Sequence, residues 1–245
     1  MKTIQHKIDF RSEGFTLKGV LHLPDIPNPP LVVGSHGLEG TMNSAKQMVL
    51  SRLLPENGIS FFRFDHRGCG RSEGEFIKDT SLEKRTRDFL AAVAHVLGLG
   101  VTSRQLALFG SSMGGATCIN AWDSLTAMDL DLRGGVLCAA PVKSRTIENI
   151  PLEANGNRPA LPLSFFRDNL LFDLRDRVAA LHNLLIFHGD ADEVVPMANA
   201  HWIFQAMQEP KKCIIQPGGD HQMSSPADQA EFEREAPIWF WRLFT

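Results

Sequence analysis

The chain has 245 residues, 43% hydrophobic and 22% charged, a composition and length that let roughly 70–75% of the unfolded surface be hidden in one ordinary globular domain. Its 25 lysines and arginines against 28 aspartates and glutamates give a formal net charge of −3, which argues against binding nucleic acid through counterion release, and charges such as Arg52, Arg63, Lys84 and Asp123 cut every apolar run short of the ~18 residues a membrane span needs. The opening residues Met1 to Phe10 alternate polar and apolar positions without the apolar stretch of a secretory leader, and Cys69, Cys118, Cys138 and Cys213 form no C-x-x-C pair, so the expectation is a cytoplasmic protein with reduced thiols, no membrane or nucleic-acid partner, and a monomeric or homodimeric state left open.

Ile4–Phe10 and Phe15–Leu23 read as two strands joined by the turn signal Ser12-Glu13-Gly14. After a Pro-rich loop, Leu31 to Gly34 is a short apolar run of the buried-strand kind. Ala45, Met48, Val49, Arg52 and Leu53 then recur at helical spacing until Gly58. Ile59–Phe64 is the next strand, and Leu82, Phe89, Leu90, Val93 and Leu97 mark one face of a long helix. The remaining sequence gives strand Gln105–Phe109, helix Gly114–Trp122, strand Gly135–Ala139, strand Leu184–Phe187, a helix face of Ala200, Ile203, Phe204 and Met207, and strand Cys213–Ile215. A closing helix from Ala227 to Phe244 is expected to bend at Pro237. This alternation predicts an α/β fold: a mostly parallel eight-stranded sheet with helices on both faces and an antiparallel hairpin at one edge.

Residues 141–180 break the pattern. Pro151, Pro159 and Pro162 stand there beside Leu161, Leu163, Phe165, Phe166, Leu170, Leu171 and Phe172. A structureless loop of that length is unusual inside a compact domain, so the segment reads as a small lid insertion with short helices within a single domain, 1–245, with a structural packing arm as the alternative.

In such sheets ligands bind outside the carboxyl ends of the strands, so the loops after each strand carry the chemistry. Gly110-Ser111-Ser112-Met113-Gly114 matches G-x-S-x-G with Ser112 at its centre, between a predicted strand and a predicted helix. Side chains at positions 110 and 114 would crowd the sharp turn, whereas counting from Ser111 would put Phe109 and Met113 where the glycines belong. A serine hydroxyl needs a base, and the base needs a partner that fixes its tautomer. Asp190, Asp192 and Glu193 follow the Leu184–Phe187 strand, and His221 follows the Cys213–Ile215 strand. Three clustered carboxylates could also form a cation site or a solvated turn, and His36, His66, His188 and His201 compete with His221 for the role of base.

The order Ser112, Asp192, His221 and the loops that hold them resemble the α/β-hydrolase superfamily, in its small lidded esterase and serine-aminopeptidase-like branch that includes cinnamoyl esterases. The resemblance covers nearly the whole chain. The family stretch H-G-x-x-D-x-x-V-P is matched by His188, Gly189, Asp192, Val195 and Pro196, which favours Asp192 as the acid. It also implies His221 as the base, and loop-supporting roles for His36 and His188. The amides of Leu38 and Met113 are implied as the oxyanion hole, and Asp65-His66-Arg67-Gly68-Cys69-Gly70-Arg71-Ser72 resembles a D-x-R-G-x-G-x-S stretch of mainly structural role. Glu73 stands where the third glycine of a dinucleotide fingerprint would fall, and Gly110 to Gly115 lacks the lysine of a P-loop, so no nucleotide cofactor and no metal is expected. A halide-displacing enzyme of this fold would carry a carboxylate at position 112.

The expected activity is hydrolysis of small or medium acyl or aryl esters through an acyl-enzyme on Ser112. Phe165, Phe166 and Leu161 would form an apolar substrate pocket, and Arg158 or Arg167 would meet a polar end. Thioesterase or aminopeptidase activity, the latter with Glu39 facing the substrate amine, are alternatives with the same residues. A non-catalytic binding protein on the same fold is the alternative of another class.

Overall fold

A computed structural model of the chain describes residues 3–149, 152–154 and 160–245. In chain order the elements are β1 (Thr3–Ser12), β2 (Phe15–Pro24), β3 (Leu31–Ser35), α1 (Ala45–Glu56), β4 (Ser60–Phe64), α2 (Phe76–Asp79), α3 (Leu82–Gly98), β5 (Gln105–Ser111) and α4 (Met113–Thr126). They continue as β6 (Asp131–Cys138), α5 (Leu163–Asn169), β7 (Leu184–Gly189), α6 (Ala198–Ala206), β8 (Lys211–Gln216) and α7 (Pro226–Phe244). All eight strands share one sheet in the order β1-β2-β4-β3-β5-β6-β7-β8. The β1–β2 hairpin and the β2–β4 pair are antiparallel and every later pairing is parallel. The hairpin closes on Glu13 and Gly14 at φ 45° and 92°, the double positive φ that a two-residue turn matching strand twist requires.

Every residue of β3 and β4 is buried, as expected of strands covered on both faces. Leu31 and Val33 look toward α3, α4 and α6 and join a core with Phe89, Val93, Ile119, Trp122 and Ile203. Val32 looks the other way and packs with Leu50 and Leu54 of α1 and with Phe232 and Phe240 of α7. Each such buried aliphatic or aromatic side chain contributes about 1.5–3 kcal/mol. These two layers hold the strand ends from which the loops with Ser112, Asp192 and His221 extend.

The structure departs from the sequence reading in detail. Strand β6 begins at Asp131 rather than Gly135, accommodated by Gly134 at φ 139° and by a register shift between Leu106 and Ala107 of β5. The four-residue α2 is too short for periodicity to reveal. The closing helix α7 matches its expected span and holds Pro237 buried inside it. Within 141–180 the described residues form a 3-10 turn at Ser144–Thr146, the helix α5 and a 3-10 turn at Arg175–Ala180. The two ends of this segment are tied together by a Lys143–Asp173 bridge and by Leu174 N–H donating to Val142 O at 2.7 Å. Among the described residues no helix is long and apolar enough to cross a membrane.

Candidate active site

Ser112 occupies the single residue between β5 and α4, at φ 53° and ψ −123°. A non-glycine residue in that region costs about 1–3 kcal/mol and persists only where its surroundings enforce it. Here the enforcement is explicit: Ser112 N–H donates to Cys138 O at 2.8 Å, and Gly115 N–H donates back to Ser112 O at 2.8 Å. The flanking glycines are required by space. A Cβ on Gly110 would lie 2.6 Å from Gly114 O, one on Gly114 would lie 2.0 Å from Ser35 O, and one on Gly115 would lie 2.4 Å from the Ala140 Cβ. The turn can therefore be this tight, and β3 can run this close to it, only with hydrogens at those positions.

The loops after β7 and β8 meet in the same way, since a Cβ on Gly189 would fall 2.0 Å from Gly219 O. This approach brings His221 Nδ1 to 2.8 Å from Asp192 Oδ2 and His221 Nε2 to 3.0 Å from Ser112 Oγ. The Asp192 carboxylate is fully buried and accepts the Val194 and Val195 amides on Oδ1 at 2.9 and 2.8 Å. Burial alone would raise its pKa. The His221 bond and the two amides outweigh it and hold the carboxyl below its ordinary value, hence ionised at neutral pH. The other two acids of the loop are engaged elsewhere: Asp190 accepts Gly218 N–H at 2.6 Å and Glu193 accepts His221 N–H at 3.4 Å. Among the described residues no group of three or more histidines, cysteines and carboxylates is placed to hold a metal ion.

The rival histidines do other work. His188 donates from Nε2 to Val195 O at 2.7 Å and braces the acid loop. His36 donates from Nδ1 to Gly37 O at 2.7 Å and accepts His66 N–H on Nε2 at 3.3 Å. The His66 ring meets Ser35 Oγ at 2.9 Å. Burial, aided by the neighbouring Arg85 charge, pushes His36 well below its ordinary value and His66 down to about 3, so both rings are neutral. His201 is solvent-exposed on α6. Burial also pushes the Cys69 thiol up to about 11, which leaves it protonated and structural.

Ser112 and His221 open into a cavity of about 1060 Å³. Leu38 and Met113 both line it beside Ser112, and a Cβ on Gly37 would stand only 3.4 Å from the Ser112 Cβ. As the first residue of α4, Met113 has an amide with no intrahelical acceptor. The far wall comes from the 141–180 segment, with Ile147, Leu163, Phe166, Leu170 and Phe172. Of the three residues expected to line the pocket, Phe166 does so. Phe165 and Leu161 do not: both are about 2–3% exposed and belong to the core, where Phe165 stacks on Phe76 with ring centroids 5.7 Å apart. Adjacent positions on the short helix α5 are about 100° apart around its axis, so Phe166 meets the Phe165 ring with centroids 5.3 Å apart and still reaches the cavity, and the apolar pattern cannot tell which of the two meets the core. Arg167 lines the cavity while paired to Asp168 at 2.7 Å, and Arg158 lies outside the described residues.

Sequence reasoning missed a buried polar layer beneath this site. Arg67 donates to Asp88 from Nε and Nη2 at 2.9 and 2.6 Å, and its backbone N–H adds a third bond at 3.0 Å. Arg85 is completely buried in the middle of α3 and donates from Nη2 to His36 O. The signal was present, because Arg85 falls on the same helical stripe as Leu82, Phe89 and Val96, where an apolar side chain is the ordinary occupant.

Comparison with known proteins places these features in a family. Residues 27–161 match the family model described as serine aminopeptidase, S33, of the hydrolases. An uncharacterized protein YfhR of Salmonella typhimurium is 28% identical over 224 residues, 85% of this chain and 70% of that protein. A thiohydrolase, aneE, of Aspergillus aculeatus is 34% identical over 113 residues, 44% of this chain and 34% of that protein. The structure of Est1E from Butyrivibrio proteoclasticus with ferulic acid bound superimposes at a TM-score of 0.81 with 23% identity, covering 97% of this chain and 99% of that one.

Proposed function

The chain belongs to the serine aminopeptidase S33 family of α/β-hydrolases, and on that premise we propose that it is a serine hydrolase cleaving small to medium carboxylic esters through an acyl-enzyme on Ser112. The observation that carries this reading is the unbroken hydrogen-bonded chain from Ser112 Oγ through His221 to Asp192, ending at the wall of the cavity. His221 takes the Ser112 proton on Nε2 as Oγ attacks the acyl carbon. Asp192 keeps the other ring proton on Nδ1 and supports the imidazolium that forms. The Leu38 and Met113 amides receive the negative charge that develops on the carbonyl oxygen. Collapse of this intermediate breaks the ester C–O bond, and His221 returns its proton to the departing alkoxide. Water then repeats the sequence on the acyl-serine and releases the acid.

The apolar far wall supports an acyl or aryl group as the larger part of the substrate, with the alcohol at the open end. The same three residues attack any activated acyl group. Resemblance to a thiohydrolase over part of the chain favours thioesters as the second reading, and Glu39 on the cavity wall is where an amine-recognising carboxylate would sit in a third. One preparation assayed on p-nitrophenyl esters, acyl thioesters and aminoacyl anilides ranks the three. The decisive control is Ser112→Ala, expected to lower turnover about 10³-fold or more while leaving the fold intact. Near-wild-type turnover in that variant would remove Ser112 from the reaction. An intact protein that fails to react with a fluorophosphonate at Ser112 would point to a binding protein instead.

A further inference from the structure

Arg85 is a cationic side chain held wholly in the interior. It is fully buried, its Nε and Nη1 lack an oxygen or nitrogen acceptor among the described residues, with only the protonated Cys69 thiol beside it, and it forms no ion pair there. The nearby carboxylate, Asp88, is already taken by three bonds from Arg67. Burial draws the Arg85 pKa down, yet a guanidinium keeps its proton in a protein interior. A buried cation with one strong acceptor gives poor value for stability, since an apolar side chain of similar volume in such a place is often neutral or stabilising.

What Arg85 does touch is the loop after β3. Its Nη2 donates to His36 O, and Gly37 O lies 3.5 Å from the same nitrogen. Gly37 O also accepts His36 Nδ1–H at 2.7 Å and Gly40 N–H at 3.2 Å. The carbonyl of the Gly37–Leu38 peptide is thus pinned toward the buried side. In a trans peptide the N–H of the next residue points the opposite way, so the Leu38 amide is turned out to the wall of the cavity beside Ser112. A cation donating to the preceding carbonyls also polarises those peptide units in series, which strengthens the final N–H as a donor.

We propose that Arg85 is a positioning residue for the oxyanion hole: it fixes the His36-Gly37 backbone that aims the Leu38 amide, and it supplies a buried positive charge behind the oxygen that becomes negative during acyl transfer. This rests on the serine-hydrolase reading above, and it assigns a reason for a cation where packing alone would select a leucine or methionine.

The test is Arg85→Met, with Arg85→Lys as the charge-conserving companion. Rates are normalised to the Ser112 labelled by a fluorophosphonate in each preparation. Removing a whole oxyanion donor costs about 10²–10³-fold in kcat, so misaiming one donor and removing its supporting charge should lower kcat about 10- to 100-fold, with KM within about twofold. An oxyanion-forming inhibitor such as an alkyl trifluoromethyl ketone should weaken by the same factor, while Tm stays level or rises. Arg85→Lys should recover part of both losses. A folded, fully labelled Arg85→Met enzyme with kcat within twofold of wild type overturns the inference and leaves the serine-hydrolase reading standing. A wild type that neither labels nor turns over removes that reading, and the inference with it. If Arg85→Met does not fold, Arg85→Gln carries the same measurement with an uncharged donor. Failure of both to fold would assign Arg85 a structural role and overturn the proposal.

Discussion

Replacing Asp192 with Asn tests the proposed chemistry more sharply than deleting the nucleophile, because the surroundings of the carboxylate dictate how the amide must sit. The Val194 and Val195 amides both donate to Oδ1, at 2.9 and 2.8 Å. An asparagine must place its oxygen there, since an NH2 facing two N–H donors would leave all of them unpaired at about 1–3 kcal/mol each. Its NH2 then stands at the Oδ2 position, the closer of the two carboxylate oxygens to His221 Nδ1, at 2.8 Å against 3.0 Å for Oδ1. To accept that donor the imidazole gives up the proton on Nδ1 and carries it on Nε2, and Nε2 can no longer take the proton of Ser112. The geometry survives with the tautomer reversed, an exchange that costs about 10⁴-fold in kcat in serine hydrolases, or about 5 kcal/mol of transition-state stabilisation. The assay is steady-state hydrolysis of a p-nitrophenyl ester together with the rate of fluorophosphonate labelling, and both should fall in parallel. Because the two Val amides keep their acceptor, Tm should shift by only a few degrees. Turnover within tenfold of wild type would refute the reasoning, since Asp192 would then not govern the proton on His221.

Two further predictions concern the layers around the site. Asp88→Asn should lower stability at pH 7 by about 3 kcal/mol, because it removes the buried partner of the Arg67 cation and leaves it only the half-exposed Glu13 carboxylate at 2.9 Å. Burial opposes the Asp88 charge, but the His66 ring and the Arg67 guanidinium prevail and hold its pKa far below the usual carboxylate value. A depressed folded-state pKa means that the contribution is complete above the unfolded-state value near ~4 and is lost as the pH falls toward the folded-state one. The gap between wild type and Asp88→Asn in urea denaturation should therefore be about 1 kcal/mol smaller at pH 3 than at pH 7, and a gap independent of pH would contradict the ion pair. Phe165→Ala should cost about 3–5 kcal/mol of stability with KM little changed, whereas Phe166→Ala should raise KM for long acyl or aryl esters with Tm nearly constant. Reversed outcomes on ester kinetics and thermal melts would mean that the two faces of α5 have been interchanged.

The sheet was legible because parallel strands buried on both faces, such as β3 and β4, must be apolar runs ended by turn residues. The residues now joined as Ser112, His221 and Asp192 were legible because each sits in a loop whose glycines are there for steric reasons. What periodicity could not give was the direction of side chains in short or irregular elements. Phe165 and Phe166 are neighbours with opposite fates, and α2 is a single turn. The charged layer of Arg67, Arg85 and Asp88 was hidden for another reason. A charge on a helix is ordinarily solvated, so the place of Arg85 on the apolar stripe carries little weight until the partners brought in from the loops after β3 and β4 are seen.

The far wall of the cavity is not independent of the Asp192 carboxylate. Glu148 N–H donates to Val194 O at 2.8 Å, and the Asn149 side chain donates to Glu193 O at 2.7 Å, while Val194 in turn donates to the Asp192 carboxylate. Recutting this wall would thus tug on the carboxylate that meets His221 Nδ1 at 2.8 Å. Under the proposed mechanism substrate scope and proton transfer are geared together, and changes at positions 144–149 should be judged by turnover as well as by binding.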